Sequence, residues 1–152
     1  MYDHRRVYWE CESRIIKPAI RKVRNYLKVF DMSIKLLRSS AKYRKIPETI
    51  SIREILHPEK YGKEYLVGRW SYGIVDSEGF VNGLVTFDLC YRIPDTQYFL
   101  RMWLQMYEFG EEIEYAYGDT EKQKLATVIS REILRLLMYA VFNDPEERGI
   151  IS

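Results

Sequence analysis

Between residues 15 and 37 the apolar side chains Ile16, Ile20, Val23, Leu27, Phe30, Ile34 and Leu37 recur at alternating steps of four and three, the spacing of one face of an α-helix. Ile15, Val29 and Leu36 widen that face, and a wide apolar face suits a helix lying on a sheet of its own chain. Written as a heptad repeat, the stretch has Lys17, Arg24, Asp31 and Arg38 at e and Ala19, Tyr26, Ser33 and Ser40 at g. The opposite-charge e/g pairs that select a partner helix are missing, so a zipper with a second chain is the less favoured use of this seam. Pro18 has no backbone N–H and is tolerated best in a first helical turn. The spacing therefore predicts a main helix from near Lys17 to near Lys42, preceded over residues 5–16 by a shorter helix or an arm.

A second pattern rides on the first. Arg14, Lys17, Arg21, Arg24, Lys28, Lys35, Arg38 and Lys42 keep the same rhythm, with only Asp31 breaking the sign. On one straight helix these cations would form a stripe beside the apolar face, roughly 42 Å long at about 1.5 Å per residue. The net charge of the chain is only +2, yet residues 1–63 carry +9 and residues 64–152 carry −7. Such a division marks a polyanion-binding segment, or a basic and an acidic surface that meet. Glu111, Glu112 and Glu114 are the acidic candidates for such a meeting.

After Lys63 the texture changes to aromatic and β-branched residues, and "DSEG" at 76–79 reads as a hairpin turn between strands near 65–75 and 80–92. Along the second strand Val81, Gly83, Val85, Phe87, Leu89 and Tyr91 share one face, opposite Asn82, Leu84, Thr86, Asp88 and Cys90. Ser51 and Glu54 have capping-box spacing ahead of a two-turn helix closed by Pro58. Residues 95–110 fit a helix, with Phe99, Met102, Trp103, Met106 and Phe109 on one side and Asp95 or Thr96 as cap, although their aromatic density also suits a strand; helix is preferred. Ile113, Tyr115 and Tyr117 alternate as a third strand would. Thr120 and Gln123 open a C-terminal helix whose face is Leu125, Val128, Ile129, Ile133, Leu136, Ala140 and Val141. These elements predict a single α+β domain over residues 1–152: a long basic N-terminal helix and a C-terminal amphipathic helix packed on a small antiparallel sheet of about three to four strands.

The chain has 152 residues, 47% of them hydrophobic, enough for one core. No apolar run approaches the roughly 20 residues of a membrane span, and the opening residues lack the apolar stretch of a signal peptide. A soluble protein of the cytoplasm, or of the inside of a particle, is expected. Many Ile, Tyr, Glu, Lys and Arg with few Asn and Gln resemble the composition of proteins from hot environments. Cys11 and Cys90 lie far apart without metal-ligand or disulfide spacing, and His4 and His57 are the only histidines. No phosphate loop or dinucleotide fingerprint is present, so no cofactor, metal or catalytic residue is assigned.

The expected function is therefore non-enzymatic: the eight stripe cations contact a polyanion, most readily nucleic acid, without reading its sequence, since no recognition-helix motif is present. Tyr8, Trp9, Tyr26 and Tyr43 are candidates for stacking on bases. A first alternative is a self-assembling subunit of a ring, filament or virion-type particle, joined by basic-to-acidic head-to-tail contacts. A second is a metal-dependent nuclease whose carboxylates would come from Asp76, Glu78 and Asp88 of the hairpin and from Glu112 and Glu114 beside it.

Overall fold

The computed structural model describes residues 3–92, 97–108, 111–112 and 121–142. It opens with one helical run, made of α1 (His4–Cys11), a π-helical turn at Glu12–Ile16, α2 (Lys17–Leu27) and a 3₁₀ turn at Lys28–Phe30. Asp3 caps α1, its carboxylate accepting the Arg6 backbone N–H at 3.1 Å. Pro18 cannot donate to the carbonyl one turn back. Just ahead of it the wider π turn, in which the Lys17 N–H reaches the Glu12 carbonyl, carries the helix past the proline without a break. Ile16, Ile20, Val23 and Leu27 are buried, as the seam predicts, and Ala19 beside them is buried too; full burial of each large aliphatic contributes about 1.5–3 kcal/mol.

The helix expected to reach Lys42 stops at Phe30. Asp31 adopts the left-handed conformation (φ 56°, ψ 40°), which Asp tolerates better than most residues. The Met32 N–H closes back on the Leu27 carbonyl at 3.1 Å. Residues Ser33–Ala41 then form β1, the edge strand of the sheet. Of the two last seam positions only Ile34 enters the core; Leu37 is half exposed and lies over Gly73 of the neighbouring strand.

The sheet runs in the order β1-β2-β3-β4-β5, each strand antiparallel to its neighbour. Strands β2 (Glu64–Val75) and β3 (Val81–Arg92) form the predicted hairpin. The Asp76 carboxylate accepts the backbone N–H groups of Glu78 and Phe80, both at 3.0 Å, and Gly79 takes the positive φ of 90° that closes the turn.

Residues Gln97–Glu108 are a strand, β4, and not the preferred helix. The same residues carry both periods: Phe99, Met102, Trp103 and Met106 at helical spacing, and Tyr98, Leu100, Met102, Leu104 and Met106 at strand spacing. The second set faces the core, because β3 has a second edge that only a strand can satisfy. The Asp95 and Thr96 cap lies outside the described residues. Of the expected third strand over 111–117, β5 (Glu111–Glu112) is described, paired with the end of β4; Ile113, Tyr115 and Tyr117 lie outside.

Ser51 caps the short α3 (Ile52–Leu56), accepting the Glu54 N–H at 3.2 Å, and α4 (Pro58–Tyr61) follows. The C-terminal helix, α5 (Glu121–Phe142), buries Ile129, Ile133, Leu137 and Ala140. Its expected face included Val128, which is exposed, while Thr120 and the side chains of Gln123, Leu125 and Val141 lie outside the described residues. The helical run and α5 share one cluster with Trp70, Phe87, Leu89 and Leu100 of the sheet. The architecture is the expected α+β arrangement, with both long helices on the inner face of the sheet and the other face turned outward.

Candidate nucleic-acid interface

Ending the helix at Phe30 divides the basic stripe between two surfaces. Arg14, Lys17, Arg21 and Lys28 remain on the helical run and are exposed, spanning about 21 Å at the helical rise of roughly 1.5 Å per residue. Arg24 is withdrawn: its Nη2 donates to the Ile34 carbonyl at 3.1 Å, tying α2 to β1. Lys35 and Arg38 lie on β1, and Lys42 follows it, half-buried, with its backbone N–H on the Val67 carbonyl at 2.8 Å. The eight residues thus do not form the single line that the spacing predicts.

Strand register decides where Lys35 and Arg38 point. Three residues apart on a regular strand, they would face opposite sides. Lys35 is paired with Gly73 and Arg38 with Ser71, because Leu37 is an extra residue between the two registers. This bulge puts both cations on the outer face. The same face carries Arg69 and Ser71 of β2, Thr86, Asp88 and Cys90 of β3, and Phe99, Arg101 and Trp103 of β4, which oppose one another across the sheet.

Asp88 is the buried centre of that face. Its carboxylate accepts Arg69 Nε at 2.6 Å and Arg69 Nη2 at 2.8 Å, a bidentate pair. The hydrogen bonds to Asp88 raise the pKa of Arg69. The Arg69 side chain is 48% exposed while that of Asp88 is 3% exposed. The guanidinium therefore covers the carboxylate and presents its other side to solvent, 5.8 Å from the Trp103 ring centroid. Arg101 Nη2 donates to Cys90 Sγ at 3.4 Å, and its Nη1 lies 3.4 Å from Glu64. Arg92 and Arg101 stand 5.3 and 5.6 Å from the Phe99 ring.

Of the aromatic residues expected to stack on bases, Tyr8 is buried, stacked on Trp70 with centroids 4.7 Å apart. Tyr26 and Tyr43 are half-buried against the core, and only Trp9 is exposed. Phe99, Arg101 and Trp103 were not singled out as outward-facing, although their alternate spacing is a strand signal; the helical reading of β4 concealed it. Arg69 carried no signal, since its role comes from Asp88 across the hairpin.

Two carboxylates of the nuclease alternative, Asp76 and Asp88, are engaged separately. Asp76 holds the turn, and its hydrogen bonds to the Asn82 side chain and the Phe80 N–H lower its pKa. Asp88 is paired with Arg69, six residues along β3 from Asn82, or about 20 Å at strand rise. Among the described residues no group of three or more His, Cys, Asp or Glu is placed to hold a metal ion. The Glu111 and Glu112 side chains, and Glu114, lie outside those residues. Burial pushes the Cys11 thiol up to about 12, leaving it unreactive. Among the described residues no helix is long and apolar enough to cross a membrane. No family model, curated protein or solved structure matches this chain.

Proposed function

We propose that this chain is a non-enzymatic nucleic-acid-binding protein that contacts the phosphate backbone through the basic side of its N-terminal helical run, without sequence readout. The observation that supports this reading is the state of the helix cations. Arg14, Arg21 and Lys28 are exposed and make no ion pair among the described residues, and Lys17 has only a 3.9 Å contact with Glu12. The opposite side of the same helix is buried, so the cations project from a rigid element whose orientation the core holds. One DNA strand carries a phosphate every 3.4 Å or so. The roughly 21 Å between Arg14 and Lys28 covers about six.

The test is binding of a labelled duplex, followed by fluorescence anisotropy across a salt series. Four neutralised phosphates give a slope of log affinity against log salt near −3.6. Replacing two of the four with glutamate, Arg21→Glu and Lys28→Glu, should cut that slope by about two and weaken binding at every salt concentration. Unchanged affinity and slope would remove the helix from the interface.

A further inference from the structure

The outer face of the sheet is a second cationic surface, on the opposite side of the sheet from α2 and α5. We propose that it binds single-stranded nucleic acid, with a base stacked on Trp103 and the phosphates held by Lys35, Arg38 and Arg101. The proposal rests on reading the protein as a nucleic-acid binder, but it uses none of the helix cations.

Four features carry it. First, Arg38, Ser71, Thr86 and Trp103 lie in one row across the four strands. Long side chains at both ends with two small hydroxyl residues between them leave a shallow recess. Its span is about 14 Å, three strand spacings, and four-stranded sheets of this width accommodate two or three bases. Second, Trp103 is 38% exposed despite its size. Third, Arg69 borders the recess, already ordered by its two bonds to Asp88 and standing 5.8 Å from the Trp103 ring, so little of its freedom is lost when a ligand arrives. Fourth, the face is cationic on balance: Lys35 and Arg38 are exposed without an ion pair among the described residues, the carboxylate of Asp88 is covered by Arg69, and Arg101 is exposed but shares its charge with Glu64 at 3.4 Å, a surface pair that a phosphate can displace.

The chemistry favours unpaired bases. In a duplex the bases are stacked on one another and cannot lie on an indole, whereas a single strand offers a π-face with every nucleotide. It also favours nucleic acid over a protein partner. Protein interfaces are depleted of charge at their centre, and the recess here has hydroxyl groups as its floor and guanidinium groups at its edges.

The test uses the full chain and fluorescein-labelled oligothymidylate, oligouridylate and duplex probes of about 20 nucleotides, in three proteins: wild type, Trp103→Ala, and Lys35→Glu with Arg38→Glu. Each substitution is at an exposed position, and circular dichroism verifies the fold. Loss of one stacked base should weaken single-strand binding by roughly 10-fold in Trp103→Ala while leaving duplex binding nearly unchanged. The β1 double variant should lose single-strand affinity and reduce its salt slope. Stronger retention of oligouridylate than oligothymidylate by wild type would assign the site to RNA, and the reverse to DNA; either supports the proposal. If both variants bind single strands as wild type does, the proposal is overturned, and the helix reading stands or falls on Arg21→Glu and Lys28→Glu alone. An oligomer that dissolves in Trp103→Ala and ignores every oligonucleotide would give the face to a second copy of the chain and equally overturn it.

Discussion

Replacing Arg69 with methionine keeps a long apolar stem on the sheet and removes the cation bonded bidentately to Asp88. Taking one partner from a fully buried ion pair costs about 3–5 kcal/mol, because a charge is left unpaired in a poor solvent. Two features of this site reduce that figure. Arg69 is itself 48% exposed, so water already screens the pair, and Arg101 lies directly opposite Asp88 in the register of β3 and β4, within reach as a substitute donor. About 1–3 kcal/mol remains, which in a chain of this size lowers the melting temperature by roughly 2–12 °C. The assay is urea denaturation followed by circular dichroism, run as a double-mutant cycle with Asp88→Asn. Once the carboxylate is an amide there is no charge to strand, so Arg69→Met in that background should cost less than about 0.5 kcal/mol. Lys35→Met, exposed and without an ion pair among the described residues, is the control and should change stability by no more than about 0.5 kcal/mol. Equal costs for Arg69→Met in both backgrounds would refute the coupling and with it the account of Arg69 as a pre-ordered side chain.

Three further outcomes follow from the packing and titration of the core. A Cβ added at Gly68 would collide with the Tyr8 ring, so Gly68→Ala should cost about 1–3 kcal/mol in chemical denaturation, and distinctly less in a Tyr8→Leu background. Trp70 is fully buried and donates Nε1–H to the Glu12 carboxylate at 2.6 Å; Trp70→Phe should therefore destabilise by about 2 kcal/mol or more, and a loss under about 0.5 kcal/mol would mean that Glu12 finds another donor. Burial lowers the pKa of His4, against a smaller opposing pull from Asp3. Its neutral form is thus favoured in the fold, and stability should fall as pH drops below the ordinary histidine value of about 6.5, where the unfolded chain takes up the proton first. His4→Gln should flatten that part of the stability profile, and an unchanged profile would refute the assignment.

Local patterns carried most of the elements. The seam over residues 16–27, the Ser51 cap, the "DSEG" turn and the two strands around it each have their physical cause within a few residues: an apolar spacing, a hydroxyl at a helix start, or a glycine free to take positive φ. The misreadings share a different cause. Ile34 and Leu37 continue a helical rhythm, and Phe99, Met102, Trp103 and Met106 make another, yet both stretches are strands. Over 98–106 a second set, Tyr98, Leu100, Met102, Leu104 and Met106, carries the strand period as well, while Ile34 and Leu37, three apart, match only the helical one; an isolated segment gives no reason to abandon the helical reading. A neighbouring strand with unpaired backbone groups does: β2 needs β1, and β3 needs β4.

The candidate surfaces divide along the same line. That the first 63 residues are basic, that α2 has one apolar and one cationic side, and that the chain makes an α+β fold are properties of composition and short-range spacing, and the sequence alone determined them. That Lys35 and Arg38 leave the helix and share the outer face, with Arg38 in line with Trp103, was decided by tertiary structure, because a single extra residue at Leu37 reverses which side of a strand every later side chain occupies. Arg69 lying over Asp88 beside Trp103 depends on the register of three strands at once. Register is set by which faces are buried, a property of the assembled core that no segment carries by itself.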